Sequence, residues 1–277
     1  MTRTLFKASL ALALVTAGLS LTATGCATNC VKGVCTSETT TQYVGTAQPF
    51  TVAWSSGQDI YIDLPSASVR TGNAATAITV VAGTGSQVTG QFTPFTSETP
   101  ENKQKAIDEM NANLHMSGTN DAGAVHISAT TSGTHGNALS AFVDLVLPAG
   151  FNGRILATPG NGDVSIQGAA AGVEVDTKLG DVSVQFVAPL KSTDTGHVVT
   201  GQGDITFDLV TTSDISFSAL SGDQGAVRLP SPLPTGWVAA SSNMATSASF
   251  TANGGSASTW RLDSSGFFTS KIEIRAH

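Results

Sequence analysis

Charge is what this chain has least of. Asp, Glu, Lys and Arg make up 12% of its 277 residues, 13 basic against 20 acidic. So few cations exclude the phosphate grip on which nucleic-acid binding rests. Cysteine is nearly absent too, with Cys26, Cys30 and Cys35 the only three. The rest of the chain therefore folds without disulfides or cysteine-rich zinc sites. His115, His126, His135, His197 and His277 fall on different expected elements without metal-ligand spacing. No Gly-x-Ser-x-Gly elbow precedes a helix, and there is no phosphate loop and no dinucleotide fingerprint. After residue 21 no apolar run approaches the length of a membrane span.

The one long apolar run comes first. Arg3 and Lys7 precede Ala8 to Leu21, almost wholly apolar or small, which is the order of a secretory signal. The segment Leu21-Thr22-Ala23-Thr24-Gly25-Cys26 then resembles the lipobox of bacterial lipoproteins. The resemblance implies that residues 1–25 are removed and that Cys26 carries lipid. Several acyl chains then hold the protein on a membrane. The non-acidic Ala27 implies export to the outer membrane of a two-membrane cell. Without Arg3 and Lys7 the chain holds 11 basic against 20 acidic groups, a net of −9. Cys30 and Cys35, with four residues between them, are expected to close a small disulfide loop, with free thiols the alternative. Thr36 to Thr41 reads as a polar tether. The expected division is a signal at 1–25, a lipid-anchored tether at 26–48 and one domain at 49–277.

The body is rich in Gly, Ser and Thr, which suits short strands and tight turns. The apolar pattern predicts strands at Phe50–Trp54, Asp59–Leu64, Gln87–Phe92, Val125–Ala129 and Leu139–Leu147, and a continuous apolar strand at Ala77–Ala82. The last has apolar residues on both faces and is expected to be central. One helix is predicted, with Thr99 as cap, Pro100 at its first position and Gly118 as terminator. Its stripe of Ala106, Ile107, Met110 and Leu114 is expected to cover a flank of the sheet.

A phrase then repeats: Gly162-Asp163-Val164-Ser165-Ile166, Gly180-Asp181-Val182-Ser183-Val184 and Gly203-Asp204-Ile205-Thr206-Phe207, with a degraded copy at Ser213-Asp214-Ile215-Ser216-Phe217. Each reads as a turn entering a half-buried strand. Two strands and two turns fill each interval, as in a rung of a β-solenoid. The expected fold is an all-β solenoid with one covering helix. An antiparallel β-sandwich is the alternative. Together with Pro148-Ala149-Gly150, these units resemble the putative-adhesin domain of bacterial envelope proteins. The resemblance implies a β-solenoid-like body over Phe50 to His277 and leaves the function broad.

Stacked in register, Asp163, Asp181 and Asp204 form a column of like charge. Turn amides are expected to relieve it, with Gly supplying the backbone angle. A cation such as Ca²⁺ is the competing expectation, although the calcium nonapeptide is absent. No other cofactor is expected. Trp54, Trp237 and Trp260 are weighed as core aromatics against sugar-stacking platforms. Trp237, after Pro232, Pro234 and Gly236, is the candidate for an exposed carbohydrate contact.

Three functions fit these features. The first is a lipid-anchored, non-enzymatic envelope module making adhesive or scaffolding contacts with an envelope protein or glycan. The second is a carbohydrate-binding or carbohydrate-cleaving β-helix protein, marked by Asp, Arg or Lys and aromatics on one face. The third is an accessory of an envelope-stress system, suggested only by the family resemblance.

Overall fold

A computed structural model describes residues 25–31, 34–64, 76–98, 100–132, 138–240, 246–254, 259–264 and 269–277. The chain opens with the hairpin β1 (Gly25–Val31) and β2 (Val34–Val44), then β3 (Gln48–Ala53), β4 (Ile60–Asp63) and β5 (Thr76–Ala82). The long β6 (Gln87–Glu98) leads through a 3-10 turn at Pro100–Asn102 into α1 (Lys103–Asn113). Next come β7 (Leu114–Asp121), β8 (Ala124–Thr131), β9 (Ala138–Leu147), β10 (Ile155–Asn161) and β11 (Asp163–Ala169). They are followed by β12 (Val173–Leu179), β13 (Val182–Phe186), β14 (Gly196–Thr200) and β15 (Ile205–Leu209). The chain continues through β16 (Ile215–Ser221), β17 (Ala226–Arg228), β18 (Trp237–Ala239), β19 (Ser247–Ala252), β20 (Thr259–Ser264) and β21 (Lys271–Ala276).

These strands form two mixed sheets. The first runs β1-β2-β6-β9-β5-β11-β13-β15-β21-β17, with β3 also on β6. The second runs β18-β19-β16-β20-β14-β12-β10-β4-β8-β7. Pairing is parallel through the middle of both, as in β11 with β13, β13 with β15, β10 with β12 and β12 with β14. Antiparallel pairs lie at the margins, such as β6 with β9, β7 with β8 and β16 with β19. From β8 to β17 consecutive strands alternate between the sheets. Two strand pairs are out of sequence: β4 and β5 lie between β8/β9 and β10/β11, and β20 and β21 lie between β14/β15 and β16/β17.

Alternation explains the layering. Along β13 the valines and Phe186 are buried while Ser183 is exposed, and β10, β12 and β15 repeat that period of two. The buried faces of both sheets meet in one core. Phe186 and Phe207 of the first sheet lie 5.6 and 5.4 Å from the ring of Trp260 in the second. From there aromatics continue through Phe217 and Phe250 to Trp237.

The all-β class and, among the described residues, the single α-helix agree with the sequence expectation, and the two facing layers are compatible with a sandwich-like description. β9 is central, between β6 and β5, as its two apolar faces require. The helix differs at both ends. Pro100 sits in the 3-10 turn, the helix starts at Lys103, and Thr99 lies outside the described residues. Gly118 does not terminate it, because Leu114 turns extended and Gly118 falls inside β7. Ala106 and Met110 are buried, so the stripe covers a flank of the sheet as expected. Among the described residues no helix is long and apolar enough to cross a membrane, which says nothing about strands.

Candidate functional site

The three Gly-Asp copies stack at the corner where the chain passes from the second sheet to the first. Asp163 Oδ1 accepts from the amide of Asp181 at 2.8 Å, and Asp181 Oδ1 from the amide of Asp204 at 2.8 Å. Asp204 Oδ1 accepts from the amide of Lys271 at 2.7 Å. Each carboxylate therefore binds the main chain of the next coil. A second ladder runs behind it. The hydroxyls of Thr177, Thr200 and Ser264 donate to the carbonyls of Gly162, Gly180 and Gly203 at 3.3, 2.8 and 2.7 Å. All three hydroxyl residues are buried, where an unpaired polar group is costly.

Glycine is required by two constraints at once. Gly180 and Gly203 have φ of +138° and +150°. A Cβ on Gly203 would lie 2.1 Å from the carbonyl oxygen of Gly180, and one on Gly180 would lie 2.3 Å from that of Gly162. The close approach is what lets the buried hydroxyls reach the carbonyls.

The column has a fourth member that the repeat does not announce. Above Gly203-Asp204 lie Ser264 and Lys271, not Ser213-Asp214. The degraded copy leads into β16, which belongs to the second sheet. There Ser213 Oγ accepts from the amide of Leu190, and the Asp214 amide donates to the Leu190 carbonyl. Its similarity to the other copies is one of turn chemistry, not of place.

Burial pushes the Asp163 carboxyl above its ordinary value. The Asp181 amide opposes that shift and the Asp181 charge adds to it. Among the described residues, no three His, Cys, Asp or Glu side chains converge as a metal site.

The other candidates separate. Cys30 opposes Cys35 across the β1–β2 hairpin, and Val31 opposes Val34. The side chains of Cys26, Cys30 and Cys35 lie outside the described residues. Trp237, expected exposed, is 6% exposed. Its ring meets Phe250 edge-on and its Nε1 donates to the Thr211 carbonyl, so burial with a satisfied donor overrides the turn-rich context. Trp260 is fully buried, with Nε1 on the Asp194 carbonyl. Trp54 packs on Phe151 and donates to Gln58. His126 stacks on Tyr61, His115 meets Ser132 and His277 meets Asp208, while His135 lies outside the described residues.

An ion-pair brace was not foreseen. Arg154 donates to Asp59 at 2.7 and 3.0 Å and to Glu174 at 3.2 Å, tying the entries to β4, β10 and β12 together. Asp59 holds the guanidinium more firmly protonated than usual, with Glu174 adding to it. The residues are far apart in sequence, so only the parallel register brings them together.

The second feature unseen in the sequence is the outer face of the second sheet at its β18 end. Ser218 is in register with Ser249 and Arg261, and Leu220 with Ser247 and Asp263. Thr251 is in register with Ser216 and Val238. Two adjoining depressions of about 420 and 310 Å³ share Ser218 and Ser249. Leu220 and Val238 stand exposed beside them, at 47% and 66%. Arg261 pairs with Asp263, whose Oδ1 is buried and has no hydrogen-bond partner.

No family model matches the chain, and no curated protein matches it. The crystal structure of a putative cell adhesion protein from Clostridium sporogenes is similar over 84% of this chain and 99% of that one. Its TM-score is 0.50 at 11% identity. The crystal structure of a putative adhesin from Bacteroides fragilis covers 83% of this chain and 97% of its own at 13% identity. Its TM-score of 0.29 supports no argument. The first likeness is one of fold.

Proposed function

We propose that this is an exported envelope protein, lipid-anchored at Cys26, whose body makes non-enzymatic adhesive contacts. The fold likeness to a putative cell adhesion protein, over 84% of this chain and 99% of that one, carries the reading. The repeated corner supports it, because the aspartates most suggestive of chemistry are bound to main-chain amides of neighbouring coils. We read the parallel centre as a two-sided, solenoid-like stack whose flat outer faces are the means of contact. The sequence of the first 26 residues supports the anchor and an outer-membrane address. The opposed register of Cys30 and Cys35 supports a disulfide, since opposed antiparallel residues sit within bridging distance.

The test is display of the full chain, and of Cys26→Ser, on a non-adherent two-membrane host. Expected are palmitate labelling and membrane retention for the parent chain only, and cell attachment to matrix or to neighbouring cells that tracks retention. Display without any attachment, or attachment by an unrelated lipoprotein to the same degree, removes the adhesive reading. Equal labelling of both chains removes the anchor.

A further inference from the structure

On the reading that the body works by contact, we propose that the outer face formed by β20, β16, β19 and β18 is a trough for neutral, hydroxyl-rich oligosaccharides. The strands set its dimensions. Arg261, Ser218 and Ser249 stand side by side on neighbouring strands, and Ala240 follows, its amide donating to the Ser249 carbonyl. At the strand spacing this row is roughly 14 Å long. Ser218 and Ser249 are too small to fill the space above the sheet, so the two depressions join along it. Leu220 rises on one side and Val238 on the other, both largely exposed.

The chemistry of the row matches a sugar chain. The hydroxyls of Ser218, Ser247, Ser249 and Thr251 can each donate and accept, as sugar hydroxyls do. Leu220 and Val238 offer apolar walls to the C–H faces of pyranose rings. Arg261 offers several N–H donors at one end, and Asp263 fixes its direction. Asp263 is 4% exposed, and its second carboxylate oxygen accepts nothing. Asp263 lines neither depression and its buried oxygen is out of a ligand's reach, so its part in the trough is to hold Arg261.

Other ligand classes fit less well. β20, β16 and β19 are each paired on both sides, so the one main-chain edge that the trough offers a peptide is that of β18, three residues long at its margin. Asp263 balances Arg261, so an anionic sugar gains no net positive charge. The chain's net negative charge disfavours nucleic acid.

The test uses the full mature chain and maltose-, cellulose- and laminarin-series oligosaccharides of one to six units, by titration calorimetry. Binding to at least one series is expected, strengthening up to about three units and then levelling, because the row is roughly 14 Å long. Ser218→Val with Ser249→Val is expected to weaken it ten-fold or more, and Arg261→Ala likewise. Asp263→Asn, a positioning change, should weaken binding while leaving the preferred chain length unaltered. These side chains other than Asp263 are exposed, so melting temperatures serve as the folding control. No binding to any series by folded protein, or binding that the double valine variant leaves intact, overturns the trough. Cell attachment that survives the double variant also overturns it while the adhesive reading stands. Loss of attachment and of sugar binding together in that variant supports both.

Discussion

The Gly-Asp corner and the serine-lined outer face use the same kind of residue, small and polar, repeated at the strand spacing. At the corner each group is answered from within: carboxylate to amide, hydroxyl to carbonyl, coil to coil. On the outer face Ser218, Ser247 and Ser249 point to solvent, beside a buried carboxylate oxygen that accepts nothing. The contrast teaches that repetition alone does not mark a contact surface. What marks it is hydrogen-bonding capacity that the fold leaves unused.

The contrast can be broken by substitution. The largest effect is expected for Gly203→Ala, which combines a disfavoured φ with a 2.1 Å approach to the Gly180 carbonyl. A loss of roughly 3–5 kcal/mol in chemical denaturation is expected. A loss below about 1 kcal/mol would show that the corner relaxes freely. The double valine variant of the outer face should change stability by less than about 0.5 kcal/mol.

Next is Asp181→Ala, which leaves the Asp204 amide without its acceptor, and Thr200→Val, which strips the Gly180 carbonyl of its donor. Each should cost about 1–2 kcal/mol. Asp181→Asn retains a side-chain oxygen and should lie near the parent. If alanine and asparagine behave alike, the ladder is not what holds the corner.

Smaller still is the effect of charge at Asp163. Its carboxyl titrates above its ordinary value of 3.8, chiefly through burial. Folding therefore favours the protonated form. That stabilising contribution is full below the unfolded value and is lost as pH rises through the raised folded value. Asp163→Asn should be level with the parent in acid and slightly more stable at neutral pH. Thermal melts from pH 3 to 7 read the difference, and an asparagine variant that gains only in acid contradicts it. Last, a chelator should leave the parent's melting midpoint unmoved, since each of the three carboxylates already accepts an amide. A drop on chelation would restore the Ca²⁺ reading.

Much of this was legible in the sequence. The strands expected to start after Gly180-Asp181 and Gly203-Asp204 are found as β13 and β15, because alternation and a Gly-Asp turn mark the same boundary. The Gly-Asp turns pointed to amide bonding, although the amide belongs to the next coil and not to the same turn. Ser264 and Lys271 were not legible as the column's fourth member. They carry no Gly-Asp, and their place depends on where β20 and β21 insert. Trp237 misled because prolines and glycine nearby suggest exposure, whereas Phe250 and the Thr211 carbonyl claim its two ends. The trough was invisible because Ser218, Ser249 and Arg261 become neighbours only through pairing of strands distant in sequence.

The inserted position of β20 and β21 bears on how the chain reaches this state. Coils closing in the order of synthesis would set β17 directly against β15, because that edge is complete first. Such a partner occupies the place that β21 must take, and it has to come away again. We expect refolding to pass through this trap and to be slow, as long-range parallel pairing usually is. Pulse-labelled hydrogen exchange reads it: Ile272 and Ile274 should gain protection after Val182 and Ile205. Simultaneous protection would mean that the late strands dock before the stack closes.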